Sequence, residues 1–280
     1  MTITAQEVTT SLTTTHRQRS GQLGWWRRPG LSLTGLLFPA LLLGLWQLGT
    51  STGSLEPIIF PAPSAVAQTL VNLLFHGTLV SDFWDSLQRI LIGALLGISA
   101  GILIGGVAGS VRQAERLLDP TIQGIRAVPA VAWIPFLILW LGIGDQPKIV
   151  LIGIATFFPM YINTFAGVRS TDQKLIELAR AYRLSHALVL RRIIFPSALP
   201  QVFVGLRLAA TIMWVAAVFT EILAGNTGLG VLLNDGRSLG RPDQTVAVML
   251  VLALAGKTTD GLVRAVERQA TRWRATFEGA

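Results

Sequence analysis

The sequence of 280 residues contains no cysteine and only three histidines. The absence of cysteine excludes a disulfide framework, a thiolate metal site and a cysteine nucleophile. The histidines, His16, His76 and His186, lie far apart in the sequence and form no metal-binding motif. We therefore expect this chain to bind no metal and no cofactor of its own.

Charged residues are also scarce. They make up 14% of the chain, whereas 51% of the residues are hydrophobic and the mean hydropathy is +0.56. This composition excludes an ordinary soluble domain of such length and predicts an all-α polytopic membrane protein. No nucleophile–base pair is visible. Gly256-Lys257-Thr258 is not the end of a phosphate-binding loop, because Val251 stands where that motif requires glycine. We therefore predict that the chain is not an enzyme and carries no ATPase motif.

Six apolar segments approach the roughly 20 residues that a membrane-crossing helix needs. Residues 1–24 are rich in threonine and serine, and predict a flexible cytoplasmic tail. Residues 25–280 form the predicted transmembrane domain. The predicted spans cover about 31–48, 90–111, 124–143, 149–168, 199–224 and 245–266.

Glycine recurs at every fourth position of the second predicted span. This spacing places the glycines on one helix face, which allows a neighbouring backbone to approach closely. We therefore favour helix packing for this face, and a lining of the transport path is the alternative. The glycines are Gly93, Gly97, Gly101, Gly105 and Gly109.

Most of the 23 lysine and arginine residues fall on one side of the membrane when six spans alternate in direction. The positive-inside rule assigns that side to the cytoplasm, so both ends of the chain are predicted to be cytoplasmic. The basic residues are then orientation signals and contacts with anionic membrane lipids. They do not form the continuous basic stripe that nucleic-acid binding requires.

A charged segment, about residues 169–198, connects the fourth and fifth predicted spans. Its sequence ELARAYRLSHALVLRRIIFPSALP (177–200) resembles the signature loop of permease subunits of bacterial ABC importers. That signature is Glu-Ala-Ala, a Gly at the sixth position after the Glu, an Ile at the sixteenth, and Leu-Pro at the eighteenth and nineteenth. The matching residues are Glu177, Ala179, Ile193 and Pro196, and the departures are Leu178, Arg183 and Phe195.

The resemblance implies that this loop is a short helical element that docks into an ATPase subunit. A generic amphipathic surface helix is the alternative interpretation. Because glycine readily ends a helix, Arg183 at the glycine position leaves the turn geometry open. The predicted docking residues are Glu177, Leu178, Ala179, Arg183, Leu184, Ser185, Ala187, Leu188, Ile193, Phe195 and Pro196.

The resemblance extends over most of the chain. The segments FPAPSAV (60–66), RAVPAVAWIPFLILWLGIG (126–144), FFPMYINTFAGVR (157–169) and GLRLAATIMWVAAVFTEILAGNTGLG (205–230) are similar to permeases for aliphatic sulfonates, taurine, nitrate and bicarbonate. The similarity is closest to the aliphatic sulfonate branch. It implies the type I ABC importer permease architecture, with six transmembrane helices in the bacterial inner membrane. The implied partners are a second copy of the chain, two cytoplasmic ATPases that use ATP and Mg, and a periplasmic or lipid-anchored binding protein.

The predicted function is therefore ATP-driven import of a small anion, most closely an aliphatic sulfonate, with taurine, nitrate or bicarbonate as alternatives. An ion-coupled secondary transporter is the alternative from another class, and a purely structural membrane subunit is a further one.

Arg207 and Glu221 are the sharpest candidates for a translocation path, because charges at membrane depth are costly and usually face a bundle interior or a water-filled path. Arg207 has the alternative of snorkelling to the interface or pairing with a carboxylate. Glu221 has the alternative of capping the turn at Gly225–Gly230. Further candidates, for which ordinary packing is the alternative, are Tyr161, Asn163, Met213 and Trp214.

Overall fold

The computed structural model describes residues 33–56 and 58–271, with side chains from residue 37 onward. The predicted tail at residues 1–24 lies outside these ranges. The chain divides between Trp46 and Gln47 into two units. Helix α1 (Leu33–Ser51) contains this division, and its apolar side chains from Leu37 onward are mostly exposed.

The remaining described residues are helical apart from short connections, and they contain no strand. The elements are α2 (Pro63–Phe75), α3 (Leu79–Ser110), α4 (Arg112–Arg126), a 3-10 turn (Ala130–Trp133), α5 (Ile134–Leu141), α6 (Asp145–Arg169), α7 (Gln173–Ala181), α8 (His186–Val189), a π-helical segment (Leu190–Ile194), α9 (Phe195–Ala224), α10 (Leu229–Ser238) and α11 (Pro242–Ala270). Helices α8 and α9 and the π-helical segment between them form one continuous helix from His186 to Ala224.

Four helices are long and apolar enough to cross a membrane: α3, α6, the continuous helix His186–Ala224, and α11. Helices α4 and α5 would form a fifth span together, although they are bent by 88°. The predicted first span lies partly outside the described residues, and its apolar helix from Leu37 to Ser51 is shorter than the others. The all-helical, multi-pass prediction is therefore confirmed, while the count of six spans stays a prediction.

In the region of the third predicted span, 124–143, the structure contains the bent pair α4–α5. Helix α4 already begins at Arg112 and ends at Arg126, shortly before Pro129, because a proline disfavours helical geometry in the residue before it. Pro135 does not interrupt a helix. It lies in the first turn of α5, where its missing N–H has no intrahelical partner to lose.

The glycine face of α3 packs against α6. A Cβ atom added at Gly93 would lie 2.6 Å from the carbonyl oxygen of Ile149, and one added at Gly101 would lie 2.6 Å from Cβ of Met160. Only hydrogen atoms fit at these positions, so the backbones of the two helices are in direct contact. The prediction that this face serves helix packing is confirmed.

The order of these contacts shows how the helices run. Moving along α3 from Gly93 to Gly105, the opposing residue on α6 moves forward from Ile149 to Tyr161, so α3 and α6 are parallel. Two parallel helices begin at the same end of the bundle, so the intervening bent pair α4–α5 must return the chain to that end. This requirement supports counting the bent pair as one crossing.

Helix α9 runs antiparallel to α6 and α11. Gln201 contacts Asn163, whereas Gly205, further along α9, contacts the earlier residue Pro159 of α6. Likewise Arg207 contacts Glu267 of α11, whereas the later residue Trp214 contacts the earlier residue Thr259. Helices α3, α6 and α11 therefore all end at one end of the bundle, which also carries α7. We call it the basic end, because Arg112, Arg116 and Arg169 lie there together with the arginines of the 169–198 segment. The other end is called the opposite end.

Candidate functional site

The signature segment folds as a short helix, a tight turn and the start of a long helix. Asp172 caps α7, because its side chain accepts a hydrogen bond of 2.9 Å from the backbone N–H of Lys174. The helix ends at Arg183, which has a φ of +50° and is the non-glycine residue with positive φ in the described part of the chain. The N–H of Leu184 donates to the carbonyl oxygen of Ala179 over 3.0 Å. This bond is the six-residue closure of a helix that ends in a left-handed residue.

Arg183 therefore adopts the conformation that the glycine of the signature would adopt. A left-handed conformation costs a non-glycine residue about 1 kcal/mol, so the replacement leaves the turn in place at a modest cost. The departure from the signature changes the side chain presented at this turn and leaves its backbone geometry intact.

The segment exposes a mixed surface to solvent. Glu177, Arg183, Ser185 and Ala187 are exposed, whereas Ala179 is buried at 3% exposure and holds α7 in place. Large apolar side chains are exposed beside them, which is unusual on a polar segment and typical of an interaction surface. We call this group the apolar patch; it consists of Leu175, Leu178, Tyr182 and Leu184.

The last predicted docking residues belong to the long helix and not to a loop. Ile193 lies in the π-helical segment, and Phe195 and Pro196 open α9. Pro196 and Pro200 have no backbone N–H, so the regular hydrogen-bond ladder is interrupted here. Leu188, Ile193 and Pro196 are half-buried, and Phe195 is exposed. The helix that contains the predicted fifth span (199–224) therefore already begins within the predicted loop, at His186.

Arg207 lies on α9, toward the basic end. Its guanidinium donates to Glu267 of α11 over 3.3 Å, and its side chain is 39% exposed. It borders a cavity of about 250 Å³ between the end of α6, α9 and α11. The cavity is lined by Ser170, Ser197, Pro200, Gln201, Val204, Arg207 and Glu267. Arg207 therefore pairs with a carboxylate and also borders a polar cavity. These are the two surroundings that the sequence analysis gave as alternatives.

Asn163 and Tyr161 form separate contacts on α6. The amide of Asn163 donates to the carbonyl oxygen of Pro159 over 2.8 Å and accepts from Gln201 over 3.0 Å. Tyr161 is fully buried, and its hydroxyl donates to Asp119 of α4 over 3.0 Å. Both side chains connect α6 to a neighbouring helix: Asn163 to α9 and Tyr161 to α4.

Met213 and Trp214 belong to the main hydrophobic core. Both are 7% exposed and pack with residues of α3, α6, α10 and α11. The indole N–H of Trp214 donates to Thr259 of α11 over 3.2 Å. The structure does not bring the six predicted path residues together in one site, although Gln201, which contacts Asn163, also lines the cavity beside Arg207.

Glu221 belongs to a buried ionic network at the opposite end. It is 1% exposed. Its carboxylate accepts hydrogen bonds from Ser86 over 2.7 Å, from Arg89 over 3.1 Å and from the N–H of Gly230 over 2.8 Å. The bond to Gly230 is the turn-capping role given above as the alternative for Glu221. We call this cluster the buried network; it comprises the buried residues Asp82, Ser86, Arg89, Lys148 and Glu221, the turn 225–230, and Asp145 at its edge, whose side chain is 58% exposed.

Arg89 is the centre of the buried network. Its guanidinium donates to Asp145 over 2.7 Å, to Glu221 over 3.1 Å, and to the carbonyl and hydroxyl oxygens of Thr227 over 2.9 and 2.8 Å. Asp145 also accepts from Lys148 over 3.2 Å. One side chain thereby joins α3, α6, α9 and the turn that follows α9.

The turn itself requires glycine. Gly228 has a φ of +122°, and a Cβ atom there would collide with the carboxyl group of Glu221. The N–H of Gly228 donates to Asp82 over 2.9 Å. The glycines of GNTGLG (225–230) therefore serve close packing on the buried network.

Sequence reasoning missed Arg89, Asp82, Asp145 and Lys148. A signal for part of this set was present: Asp82, Ser86 and Arg89 have the spacing of one helix face, and Gly93 continues it. The polar residues lie on the same face that the glycines mark as packed. Asp145 and Lys148 have the i,i+3 spacing of a local ion pair on α6, but no local pattern connects that pair to Arg89, which lies 56 residues away in the sequence.

The arrangement suits mechanical coupling more than chemistry. The described ranges 33–56 and 58–271 contain no group of three or more side chains able to hold a metal ion. In contrast, the segment with the apolar patch connects directly to α6 and α9, which are both packed at the centre of the bundle. A displacement of this segment would act on both helices at once.

Comparison with known proteins gives a consistent result. The family model described as the binding-protein-dependent transport system inner membrane component matches residues 97–272. The chain is 36% identical over 247 residues to the "Putative aliphatic sulfonates transport permease protein SsuC" of Bacillus subtilis, covering 88% of this chain and 90% of that protein. It is 38% identical over 239 residues to the protein of the same name from Escherichia coli, covering 85% and 91%.

A solved structure titled as an amino acid ABC transporter with histidines has a similar fold, with a TM-score of 0.57 at 16% identity, covering 72% of this chain and 98% of that chain. This likeness establishes the fold alone. The family match covers more than half of the chain, and the two relatives match nearly its whole length. The chain belongs to the inner membrane components of binding-protein-dependent transport systems, the non-enzymatic permease subunits of ABC transporters whose ATPase is a separate subunit.

Proposed function

We propose that this permease carries aliphatic sulfonates from a binding protein into the cytoplasm. The observation that carries the proposal is its 36% and 38% identity, over most of both chains, to two proteins named as aliphatic sulfonate permeases. Taurine, nitrate and bicarbonate remain alternative substrates, since the segments quoted above are shared by those branches.

Uptake by reconstituted vesicles tests this substrate. The permease, its ATPase and its binding protein are placed in liposomes, and uptake of labelled ethanesulfonate is measured with ATP inside or outside. We expect ATP-dependent uptake. An excess of hexanesulfonate should suppress this uptake, whereas an excess of nitrate or bicarbonate should not. Preferential uptake of taurine or nitrate would assign the protein to one of the alternative branches.

The same vesicles address the secondary-transporter alternative. That class places ion-coupled carboxylates inside the spans. Here the buried carboxylate of Glu221 is already engaged by Ser86, Arg89 and Gly230. We therefore expect an imposed proton or sodium gradient to drive no uptake when ATP or the ATPase is omitted. Gradient-driven uptake without the ATPase would make the importer proposal wrong.

The signature segment is proposed as the ATPase-docking element. Glu177 is exposed on α7 without a basic partner in the described residues, and Leu178 of the apolar patch directly follows it in the sequence. An exposed carboxylate beside apolar side chains fits a groove that has an apolar floor and a basic rim. The bound ATP and Mg would belong entirely to the partner.

Docking is tested by co-purification of the ATPase with permease variants. Glu177→Ala and Leu184→Ser are expected to reduce the amount of retained ATPase several-fold. Arg237→Gln, an exposed change on α10 at the opposite end of the bundle, serves as the control. Equal retention in all three variants, with correct membrane insertion, would exclude the segment as the docking element.

We propose an orientation from the distribution of charge and an assembly from the family. The basic end is proposed to face the cytoplasm, which places the termini there and the turn 225–230 outside. Lys148 and Arg89, the basic residues at the opposite end of α6 and α3, are neutralised within the buried network. The proposed complex contains two copies of this chain, two ATPases, one binding protein and surrounding membrane lipids, with the path between the two copies.

Arg207 is proposed to attract the sulfonate as it leaves toward the cytoplasm. Its half-exposed guanidinium borders the 250 Å³ cavity, and Glu267 is its carboxylate partner. Arg207→Gln should therefore raise the KM for sulfonate, whereas Glu267→Gln should leave KM unchanged or lower it by freeing the guanidinium. If both variants have the KM of the wild type, Arg207 does not contact the anion.

A further inference from the structure

A second polar cavity lies at the basic end, between α4 and the end of α6. Its volume is about 340 Å³. Arginines outnumber carboxylates in its lining, and none of these residues belongs to the proposed docking surface or path. The lining residues are Arg112, Glu115, Arg116, Asp119, Pro120 and Arg169. We call it the α4 cavity.

Both carboxylates of the α4 cavity are already engaged. Glu115 forms an ion pair with Arg169. Asp119 accepts from the hydroxyl of Tyr161 over 3.0 Å and from the amide of Gln123 over 3.4 Å. Hence Arg169 is paired, while the cavity's other two guanidiniums have no carboxylate assigned to them.

Arg112 and Arg116 are these two unpaired residues. Among residues 37–56 and 58–271, neither has a carboxylate oxygen within the 4.0 Å of an ion pair. They are spaced by four on α4, so the like charges face each other and destabilise the helix. Arg112 also lies in the first turn of α4, where the helix macrodipole disfavours a positive charge. A bound anion would remove both unfavourable interactions.

The position of the cavity indicates which anion. The long apolar helix α3 ends at Ser110, two residues before Arg112. The apolar side chains of Val111 and Leu117 are 46% and 75% exposed beside the two arginines. Exposed apolar side chains next to exposed arginines, one turn beyond a span, lie at the level where acyl chains meet headgroups.

We propose that the α4 cavity binds the phosphate of an anionic phospholipid headgroup. Arg112 and Arg116 hold the phosphate oxygens, and Val111 and Leu117 contact the start of the acyl chains. This site refines the membrane-lipid contacts proposed above, and its assignment to the cytoplasmic leaflet rests on the proposed orientation.

The proposed site also has a structural consequence. Arg169 is the last residue of α6 and leads directly into the signature segment, and its ion pair with Glu115 fixes it to the same helix that carries the cavity. A lipid bound to α4 therefore steadies the point at which the signature segment leaves the bundle.

Native mass spectrometry of the full-length permease in detergent tests the proposal. Phosphatidylglycerol and phosphatidylcholine are titrated as the two probes. We expect the wild type to bind phosphatidylglycerol about tenfold more tightly than phosphatidylcholine, and Arg112→Gln/Arg116→Gln to abolish the difference. Arg112→Lys/Arg116→Lys retains both charges and should retain most of the preference.

The matched control is Lys257→Gln/Arg268→Gln. It removes the same charge from exposed side chains of α11, which ends at the same end of the bundle but outside the cavity. The control should bind phosphatidylglycerol as the wild type does. If it loses the preference equally, net charge and not the α4 cavity attracts the lipid, and the proposal is overturned.

Two further outcomes would overturn it. Complete displacement of phosphatidylglycerol by millimolar inorganic phosphate would indicate a site for a free anion. Unchanged lipid binding with loss of the co-purified ATPase in Arg112→Gln/Arg116→Gln would assign the two arginines to the partner subunit. Lipid affinity in detergent does not depend on membrane orientation, so its failure is distinguishable from a failure of the proposed orientation.

Discussion

The neighbouring glycines Gly105 and Gly106 allow a sharp test of the parallel contact between α3 and α6. An alanine Cβ at Gly105 would lie 2.6 Å from the carbonyl oxygen of Tyr161 and 3.1 Å from Cβ of Thr164. An alanine Cβ at Gly106 meets no other element within 4 Å in the described chain. Gly105→Ala therefore forces the two helices apart by several tenths of an ångström, and Gly106→Ala does not.

Because Gly105 and Gly106 are adjacent, the difference in unfolding free energy between their alanine variants can be worked out. Both substitutions gain about the same helix propensity, roughly 1 kcal/mol relative to glycine, because both residues lie in the interior of α3. Overpacking a tight contact costs about 1–3 kcal/mol. The free energy of unfolding of Gly105→Ala should therefore be lower than that of Gly106→Ala by about 1–3 kcal/mol, whatever the propensity gain in this environment.

Reversible unfolding in mixed micelles, followed by tryptophan fluorescence, measures this difference. Gly106→Ala is expected to be equal to or slightly more stable than the wild type. Gly105→Ala should unfold at a lower denaturant fraction and should also retain less ATPase, since Tyr161 and Thr164 precede the signature segment on α6. Equal stability of the two variants would refute the close parallel packing of α3 on α6.

Three further predictions concern other parts of the molecule. Arg89→Gln leaves Glu221 and its neighbours without their buried cation and should lower the free energy of unfolding by about 3–5 kcal/mol. Exposed Arg237→Gln, at the same end, should stay within about 0.5 kcal/mol of the wild type, and similar losses in both would contradict the buried network. Arg183→Gly should raise thermal stability by about 1 kcal/mol, because glycine adopts the left-handed conformation without strain; a loss of stability would mean that the arginine side chain holds the turn. Since the chain has no cysteine, Ser185→Cys and Ser238→Cys can be labelled singly in intact cells. A membrane-impermeant maleimide should reach Ser238→Cys only, and labelling of Ser185→Cys would reverse the proposed orientation.

The sequence alone was sufficient for properties that depend on composition and local pattern. The apolar runs required a helical membrane protein, because backbone polar groups in lipid must be satisfied within the segment. The four-residue glycine spacing on α3 marked a packed face, since that periodicity is fixed by helix geometry. The spacing of the signature segment identified the family, which the match over residues 97–272 confirmed.

The residues at which helices begin and end were harder to predict from the sequence. Pro129 lies where the chain bends and Pro135 begins α5, and the sequence alone does not distinguish these two roles. The fifth span was predicted at 199–224, and the helix that contains it extends back to His186. Charged residues mark where a helix leaves the membrane, but they do not end the helix.

Tertiary structure alone decided which distant residues meet. Arg89 and Glu221 are separated by 132 residues, and no local pattern pairs them; only the packing of α3 beside α9 makes their charges a single buried ion pair. The same holds for Asp119 and Tyr161, which the bend after α4 brings together. Local pattern decides which helices form and which faces they bury, because both depend on neighbours a few residues away. The partners of buried charges depend on how whole helices are arranged, and that arrangement is a property of the folded chain.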